Sequence, residues 1–265
     1  MVLIEVPDRD AVGIRAANPG PFTLSGTNSW IVGRGPAWVI DPGPPLARHV
    51  RALTTEIESR GGLGGIALTH DHIDHSEAVP VLRERFAGAP VAGGRGAVDV
   101  VLAPGGRFGP FESVATPGHA PDHFAFLCDG VAFTGDAVLG EGSVFVAPGR
   151  GALAGYLDGL RRLRGRDLEL ICPGHGPLVR DPAARIDEYL AHRAEREERL
   201  LAALAAGKRS VDELLDAAWS DAPSSLRLAA SVTLAAHLDK LADEGRLPGG
   251  VERPAGWPPL GGRSA

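Results

Sequence analysis

Between residues 69 and 75 the chain reads Thr-His-Asp-His-Ile-Asp-His, three histidines and two aspartates directly behind the apolar run Gly65-Ile66-Ala67-Leu68. Imidazole and carboxylate are the ligands zinc prefers after thiolate. His70 and His72 stand two apart, so on an extended or turning backbone they can point to one side and share an ion. Asp74 and His75 are adjacent, so a turn must redirect them toward a second ion. A tight loop after a buried strand meets both demands, and rigid flanking elements hold such a loop in place. Downstream the pattern is helical over 76–86: Val79, Leu82 and Phe86 are apolar at intervals of three and four, with Ser76 as the expected cap.

Three further candidates arrive singly, each in a glycine-containing turn after an apolar stretch. His119 sits in Thr116-Pro117-Gly118-His119, Asp136 in Phe133-Thr134-Gly135-Asp136, and His175 in Cys172-Pro173-Gly174-His175-Gly176-Pro177. The glycine lets the backbone come close and turn the next side chain inward. One histidine in a turn would be a weak ligand candidate. Three such turns behind a five-member cluster form a set.

The rest of the chain bounds what can carry this set. At 265 residues, 44% hydrophobic and 23% charged, it has material for a sizeable core in one large domain, or one large and one small. The net charge of -6 weighs against a nucleic-acid binder, which needs a basic face. Cys128 and Cys172, the only cysteines, read as buried reduced thiols. No apolar run reaches signal-peptide length or the roughly 20 residues of a membrane span, which predicts a cytoplasmic protein without membrane contact.

Short apolar runs bounded by Gly and Pro read as strands at 29–33, 37–40, 65–69, 114–115, 123–127, 131–133 and 168–172. Helical spacing occupies 46–59 and 155–163 besides 76–86. Interleaved strands and helices make the class α/β or α+β. From residue 182 only helices follow: 182–206, then 211–219 with Ser210 as cap, then 225–244 ended by Gly245. The expected division is a catalytic domain at 1–206, a small helical domain at 207–250 and a loose Pro/Gly-rich tail at 251–265.

The order His-x-His-x-Asp-His, Pro-Gly-His, Thr-Gly-Asp, Pro-Gly-His-Gly resembles the metallo-β-lactamase superfamily. That resemblance implies a four-layer αββα sandwich with the site at one edge of its two sheets. It implies that His70, His72 and His119 hold one metal, that Asp74, His75 and His175 hold the other, and that Asp136 bridges them. The cofactors implied are two zinc ions, with iron or manganese as alternatives. Two such ions about 3.5–4 Å apart share a hydroxide available at neutral pH, so no serine or cysteine nucleophile is needed. Asp74 is the expected catalytic acceptor of a hydrogen bond from that nucleophile. Asp41, ending a strand, resembles the family's outer acid that orients a ligand or loop.

One departure narrows the branch. Zinc β-lactamases of the best-known group carry a cysteine where this chain has Asp136, which resembles instead glyoxalase II, lactonases and metal-dependent nucleases. The strings around His119, Asp136 and Tyr189-Leu190-Ala191-His192-Arg193 are similar to the β-lactamase-like protein 2 branch, whose sandwich is followed by a winged-helix-like domain. That branch includes a single-stranded-RNA endonuclease and thioesterases acting on acyl carriers. His123 would then be a polar contact near the site, and His192 a surface or packing residue.

Between 207 and 247 five cations (Lys208, Arg209, Arg227, Lys240, Arg246) face seven acids, a balance of -2. A groove-reading helix is basic, so DNA is not the expected partner and the module reads as a lid or packing domain. Arg161, Arg162, Arg164 and Arg166 read as a solvated helix end rather than an anion patch. The leading expectation is therefore a dinuclear-zinc hydrolase cleaving a small ester or thioester. Cleavage of single-stranded RNA is the alternative, and an iron oxidoreductase on the same ligands the third. Specificity is expected in the loops 105–111 and 140–150 and in the C-terminal module. Nothing in the sequence specifies the oligomeric state.

Overall fold

The computed structural model describes residues 2–254. A seven-stranded sheet runs in sequence order through β1 (Val2–Glu5), β2 (Ala11–Arg15), β3 (Asn28–Val32), β4 (Ala37–Ile40), β5 (Leu63–Ala67), β6 (Val91–Gly93) and β7 (Val100–Val101). Its first four strands are antiparallel, and from β4 onward the pairing is parallel. Parallel neighbours need crossovers. These carry α1 (Ala47–Ser59) between β4 and β5, and α2 (Ile73–Ser76) and α3 (Val79–Arg85) between β5 and β6.

The second sheet has five strands, β8 (Arg107–Phe108), β9 (Phe111–Ala115), β10 (Phe124–Cys128), β11 (Val131–Gly135) and β12 (Leu170–Pro173). All its pairs are antiparallel except β11 with β12, and α4 (Ala152–Arg164) crosses between those two.

Burial makes the layers. Trp30, Phe111, Phe126 and Phe133 fill the space between the sheets. Leu53 and Ile57 of α1 and Leu82 of α3 pack with Ile31, Val39 and Ile66 on the outer face of the first sheet. Tyr156, Leu160 and Leu163 of α4, with Ile186 and Tyr189 of α5 (Pro182–Ala205), cover the second sheet at Ala125, Ala132 and Ile171. Each such Leu, Ile or Phe stabilises the fold by about 1.5–3 kcal/mol of transfer energy. The result is the αββα sandwich that the motif order implied.

The far half of α5 leaves the sandwich. Its Leu200 and Leu204 join Leu214 and Leu215 of α6 (Val211–Ala218) and Leu234, Leu238 and Leu241 of α7 (Arg227–Asp243) in a separate core. Ser210 caps α6 as its sequence position foretold. Its hydroxyl accepts from the Glu213 N–H, and the Glu213 carboxylate accepts from the Ser210 N–H. A short 3-10 turn, Ser224–Leu226, leads into α7.

Several sequence readings need correction. The single helix expected over 76–86 is two pieces, and Ser76 ends the first instead of capping the second. Pro80 is the reason: it has no N–H to give to a preceding turn, so a helix restarts at Val79. The strands β1 and β2 lie outside the runs expected from the sequence. Gly13 interrupts the apolar pattern of β2, and it is there because a Cβ would lie 2.6 Å from the Trp30 ring. Cys172 is buried, but Cys128 is only partly so, and both are free thiols. Residues 255–265 of the expected tail lie outside the described residues. No helix among the described residues is long and apolar enough to cross a membrane.

Topology decides where the site must be. β4 and β5 run parallel, so their C-terminal ends share an edge. β9 and β11 both run antiparallel to β10, and β12 follows β11, so these three ends also meet at one edge. The turns after these five strands carry Asp41, the 70–75 cluster, His119, Asp136 and His175.

Candidate metal centre

All seven candidate ligands converge. His70, His72 and His119 form one group, and Asp74, His75 and His175 another. Asp136 joins His70 and His75 in a third, with the donor atoms of each group within 4.8 Å of one another. In the first group His72 Nδ1 lies 2.9 Å from His70 Nε2 and 3.1 Å from His119 Nε2. In the second, His75 Nε2 and His175 Nε2 are 3.3 Å apart, and Asp74 Oδ2 lies 3.5 and 3.3 Å from them. Asp136 faces both groups: Oδ2 is 3.5 Å from His119 Nε2, and Oδ1 is 3.3 Å from His175 Nε2 and 3.5 Å from His75 Nε2.

The far side of each ring sets its tautomer. His75 Nδ1 donates to Asp41 Oδ2 at 2.9 Å, His119 Nδ1 to the Phe145 carbonyl at 3.2 Å, and His175 Nδ1 to the Gly26 carbonyl at 3.3 Å. His70 Nδ1 donates to Thr69 Oγ1 at 3.0 Å, and that hydroxyl donates in turn to Asp41 Oδ2 at 2.6 Å. Each Nε2 therefore faces inward as the position that binds a cation once it is free of a proton. Asp41 also accepts the Thr69 N–H at 2.8 Å, so one buried carboxylate orients a ligand of each group. Thr69, part of the motif but not one of its expected ligands, is a relay between Asp41 and His70. Its signal was its place between the strand and His70.

Electrostatics divide the centre in two. Burial pushes His70 well below the usual imidazole range, lowers His119 to about 4, and lowers His72 less. This half is neutral imidazole at physiological pH. In the other half burial also opposes charge, but Asp74, Asp136 and Asp41 outweigh it and raise His75 to about 9. His175 is raised to about 10 by Asp136 and Asp74 against the same burial. Asp74 is held at about 2 by His75 and His175 despite its burial, and Asp136 well below the carboxylate range by the same two histidines. The cluster thus sets neutral imidazoles on one side and, on the other, ionised carboxylates that hold positive charge on their histidines, the place a bound cation would fill instead.

A divalent cation pair fits these residues. Ring nitrogens facing one another at 2.9–3.3 Å converge in each group, and a bound cation would take the place of the protons that His75 and His175 otherwise hold. Asp136 Oδ1 is buried without a hydrogen bond. A nitrogen- and oxygen-rich set of this kind suits zinc, and also iron or manganese. Space is reserved as well. A Cβ on Gly174 would lie 2.8 Å from Asp136 Oδ1 and from the His75 ring. Gly135, at φ +46°, would carry one 2.4 Å from Thr69 Oγ1.

His123 does not reach substrate space. It is buried, its Nδ1 donates to Thr116 Oγ1 at 2.8 Å, and its Nε2 accepts the Asp136 N–H at 3.1 Å. It positions the bridging aspartate from behind. His192 is half-buried on α5 and accepts from Arg196 Nε at 3.1 Å. The four clustered arginines are paired: Arg161 with Asp158, Arg162 with the Ala115 carbonyl, Arg164 with Asp187 and Arg166 with Glu112.

A cavity of about 570 Å³ opens from the centre, with His72, Asp74, His119 and Asp136 at its floor. Its walls come from the loop 21–24, the loop 139–145, the outward side of α5, and the helical module through Trp219, Leu226 and Ala229. The loop 105–111, expected to matter for specificity, takes no part. Phe108 and Phe111 are buried in the intersheet core, and Phe108 packs against Trp38. Phe145 and Leu226 fall in the loop 140–150 and the C-terminal module, where specificity was expected, whereas Phe22 on the loop 21–24 has no local spacing that announces it.

Comparison with known proteins agrees with this architecture. Residues 97–175 match the metallo-beta-lactamase superfamily, and residues 210–248 match the beta-lactamase associated winged helix domain. The chain is 31% identical over 271 residues to a lactamase-like protein, adaB, of Aspergillus niger, covering 91% of this chain and 83% of the relative. It is 29% identical over 256 residues to a beta-lactamase-like protein 2 homolog of Caenorhabditis elegans, covering 86% and 82%. A third relative, 30% identical over 217 residues and covering 76% and 67%, is an atrochrysone carboxyl ACP thioesterase of Aspergillus fumigatus. Among solved structures, a beta-lactamase domain protein from Burkholderia ambifaria shares the fold with a TM-score of 0.75 at 23% identity, covering 92% of this chain and 88% of the other.

Proposed function

This chain belongs to the metallo-β-lactamase superfamily, a family of generally hydrolytic enzymes, and we propose that it is a dinuclear-zinc hydrolase cleaving an acyl thioester or a small ester. The observation that carries the reading is the cavity. Its floor is the metal centre, and its walls are apolar, with Phe22, Phe145, Trp219 and Leu226 among them. The two arginines in the wall are buried and hold oxygens of the protein itself, with Arg193 Nε left without a hydrogen-bond partner. Arg193 donates to Ser143 Oγ and the Val144 carbonyl, and Arg196 makes a two-pronged pair with Asp221 besides donating to the Ala218 carbonyl. A phosphodiester backbone requires cations to track it, whereas an uncharged acyl group needs only apolar walls.

His70, His72, His119 and Asp136 would hold one zinc, and Asp74, His75, His175 and Asp136 the other. Bound zinc supplies Lewis acidity, lowering the pKa of water toward about 7 and polarising the acyl carbonyl. The chain's own groups do the positioning. Asp74, ionised and lining the cavity, accepts a hydrogen bond from the attacking water through its carboxylate. Asp41 and Thr69 keep His75 and His70 in register, and His123 holds the backbone of Asp136. The apolar walls exclude competing water from the acyl group. A thiolate leaves without a proton donor, because its conjugate acid has a pKa of about 8.5. A thioester therefore suits a centre in which every central imidazole and carboxylate is a ligand candidate. This agrees with the thioesterase name of one relative.

The test is turnover of a panel of acyl thioesters, esters and single-stranded RNA by the zinc-loaded full chain. Metal-dependent thioester hydrolysis that disappears in Asp74→Ala is expected. RNA cleavage without any thioester turnover would overturn the reading in favour of an endoribonuclease.

A further inference from the structure

Three of the large hydrophobic side chains left exposed on this protein, Phe22, Ile73 and Leu226, line the same cavity mouth. Exposed apolar groups gathered at one opening mark a binding surface. Phe22 stands on the sandwich, edge-on to Phe145 with ring centroids 5.7 Å apart. Phe145 in turn lies against His119 at 4.9 Å, and its carbonyl holds that ligand. Ile73 sits inside the ligand loop itself. Leu226 and Ala229 come from the other side, on the 3-10 turn and first turn of α7.

The helical module is fixed against the sandwich at this mouth. Arg196 of α5 ties it through Asp221 and the Ala218 carbonyl. Asp239 and Asp243 of α7 accept the N–H groups of Gly149 and Gly151 at 2.9 and 3.0 Å, next to the loop that carries Phe145. The far wall of the cavity is therefore a set distance from the metal centre. Small side chains there, Ala229 and Ala230, leave room, and Leu226 closes the rim.

We infer that the helical module gauges the acyl group. The substrate carries an extended, uncharged, apolar acyl chain that runs from the metal centre along the wall made by the contacting Phe22 and Phe145 rings to end against Leu226 and Ala229. This rests on the hydrolase reading above and adds to it the class of acyl group and the residues that select it. Leu226 and Ala229 are specificity-determining residues that never touch the reacting carbonyl.

The experiment compares acetyl and octanoyl thioesters of one thiol on the zinc-loaded full chain. It also measures binding of the matching non-hydrolysable alkyl thioethers to the metal-free chain. About fourfold in kcat/KM is expected for each methylene that enters the cavity, and about a hundredfold or more from acetyl to octanoyl. The octyl thioether should bind more tightly than the ethyl one even without metal, since the wall is protein. Ala229→Phe shortens the cavity and should lower the octanoyl-to-acetyl ratio at least tenfold. Should that variant fail to fold by circular dichroism, Leu226→Asn, at a partly exposed position, should lower the ratio about fivefold. Equal kcat/KM for the two thioesters, or folded variants that keep the wild-type ratio, would overturn the inference while leaving the hydrolase reading intact. No thioester turnover combined with chain-length-dependent thioether binding would overturn the hydrolase reading and leave the apolar slot standing.

Discussion

Asp41→Asn isolates what one buried carboxylate does for both halves of the metal centre. Asp41 is 1% exposed and accepts three hydrogen bonds, from the Thr69 N–H at 2.8 Å, Thr69 Oγ1 at 2.6 Å and His75 Nδ1 at 2.9 Å. Asparagine keeps the shape and can keep the first bond through Oδ1. Its amide NH₂ then replaces Oδ2, so a donor faces two donors. Hydrogen bonds to a charged group contribute about 1.5–3 kcal/mol each, and a buried donor left unsatisfied costs a similar amount. Much of that loss appears as lower fold stability, because the bonds exist without metal. The remainder appears as freedom of the His75 ring and of the Thr69–His70 relay. Outer partners of ligands typically contribute 10–100-fold in metal affinity, roughly 1.4–2.8 kcal/mol. The assay is a zinc titration against a chromophoric chelator at fixed pH, with circular dichroism to verify folding. Zinc affinity is expected to fall within that range, with the larger loss at the Asp74–His75–His175 half. A folded variant with both affinities unchanged would refute the proposed orienting role.

Three further outcomes are expected. His237 is 1% exposed, neither of its ring nitrogens has a hydrogen-bond partner, and burial lowers it to about 3, with Arg193, Lys240, His192 and Arg196 opposing its charge further. The unfolded chain takes up this proton near pH 6.5 and the folded one near 3, so its contribution is present above 6.5 and lost as pH falls toward 3. His237→Leu should therefore raise Tm by several degrees at pH 7 and flatten the fall of Tm between pH 6.5 and 4, read by scanning fluorimetry; an unchanged or lower Tm at pH 7 would contradict it. Chelation should lower Tm, since a ligand at 100 times its Kd stabilises by about 2.7 kcal/mol, worth about 5–10 °C in a chain of this size; equal Tm with and without chelator would count against a metal site. Asp136→Ala should drop the bound metal, measured by plasma mass spectrometry, from two per chain to one or fewer, because one carboxylate faces both groups.

Much of the centre was legible because ligands come as local strings. The His-x-His-x-Asp-His cluster, and the glycine turns before His119, Asp136 and His175, each encode a strand end and an inward side chain. The parallel and antiparallel pairings then bring those ends to one edge. Asp41 could be singled out because it ends a strand in the same way. Ser210 was readable as a cap because its partner Glu213 is three residues away. The walls of the cavity had no such local code. Phe22, Phe145 and Leu226 lie about 80 to 200 positions apart; the first two meet across loops of the sandwich, and Leu226 joins them in the cavity wall only through the docking of the helical module. His123 reads from the sequence as a polar contact near the site, on a ligand or on substrate, and the strand that begins at Phe124 decides between them by drawing it under Asp136. The loop 105–111 looked like a variable rim, but two phenylalanines pull it into the core.

The central claim, that seven side chains hold a pair of cations, is met most directly by anomalous X-ray scattering from crystals of the zinc-loaded protein at the zinc edge. Two peaks about 3.5–4 Å apart are expected. One should lie about 2.0–2.2 Å from His70 Nε2, His72 Nδ1 and His119 Nε2, the other as close to Asp74, His75 and His175, with Asp136 touching both. A single peak, or peaks away from these atoms in protein that contains stoichiometric zinc, would contradict the account.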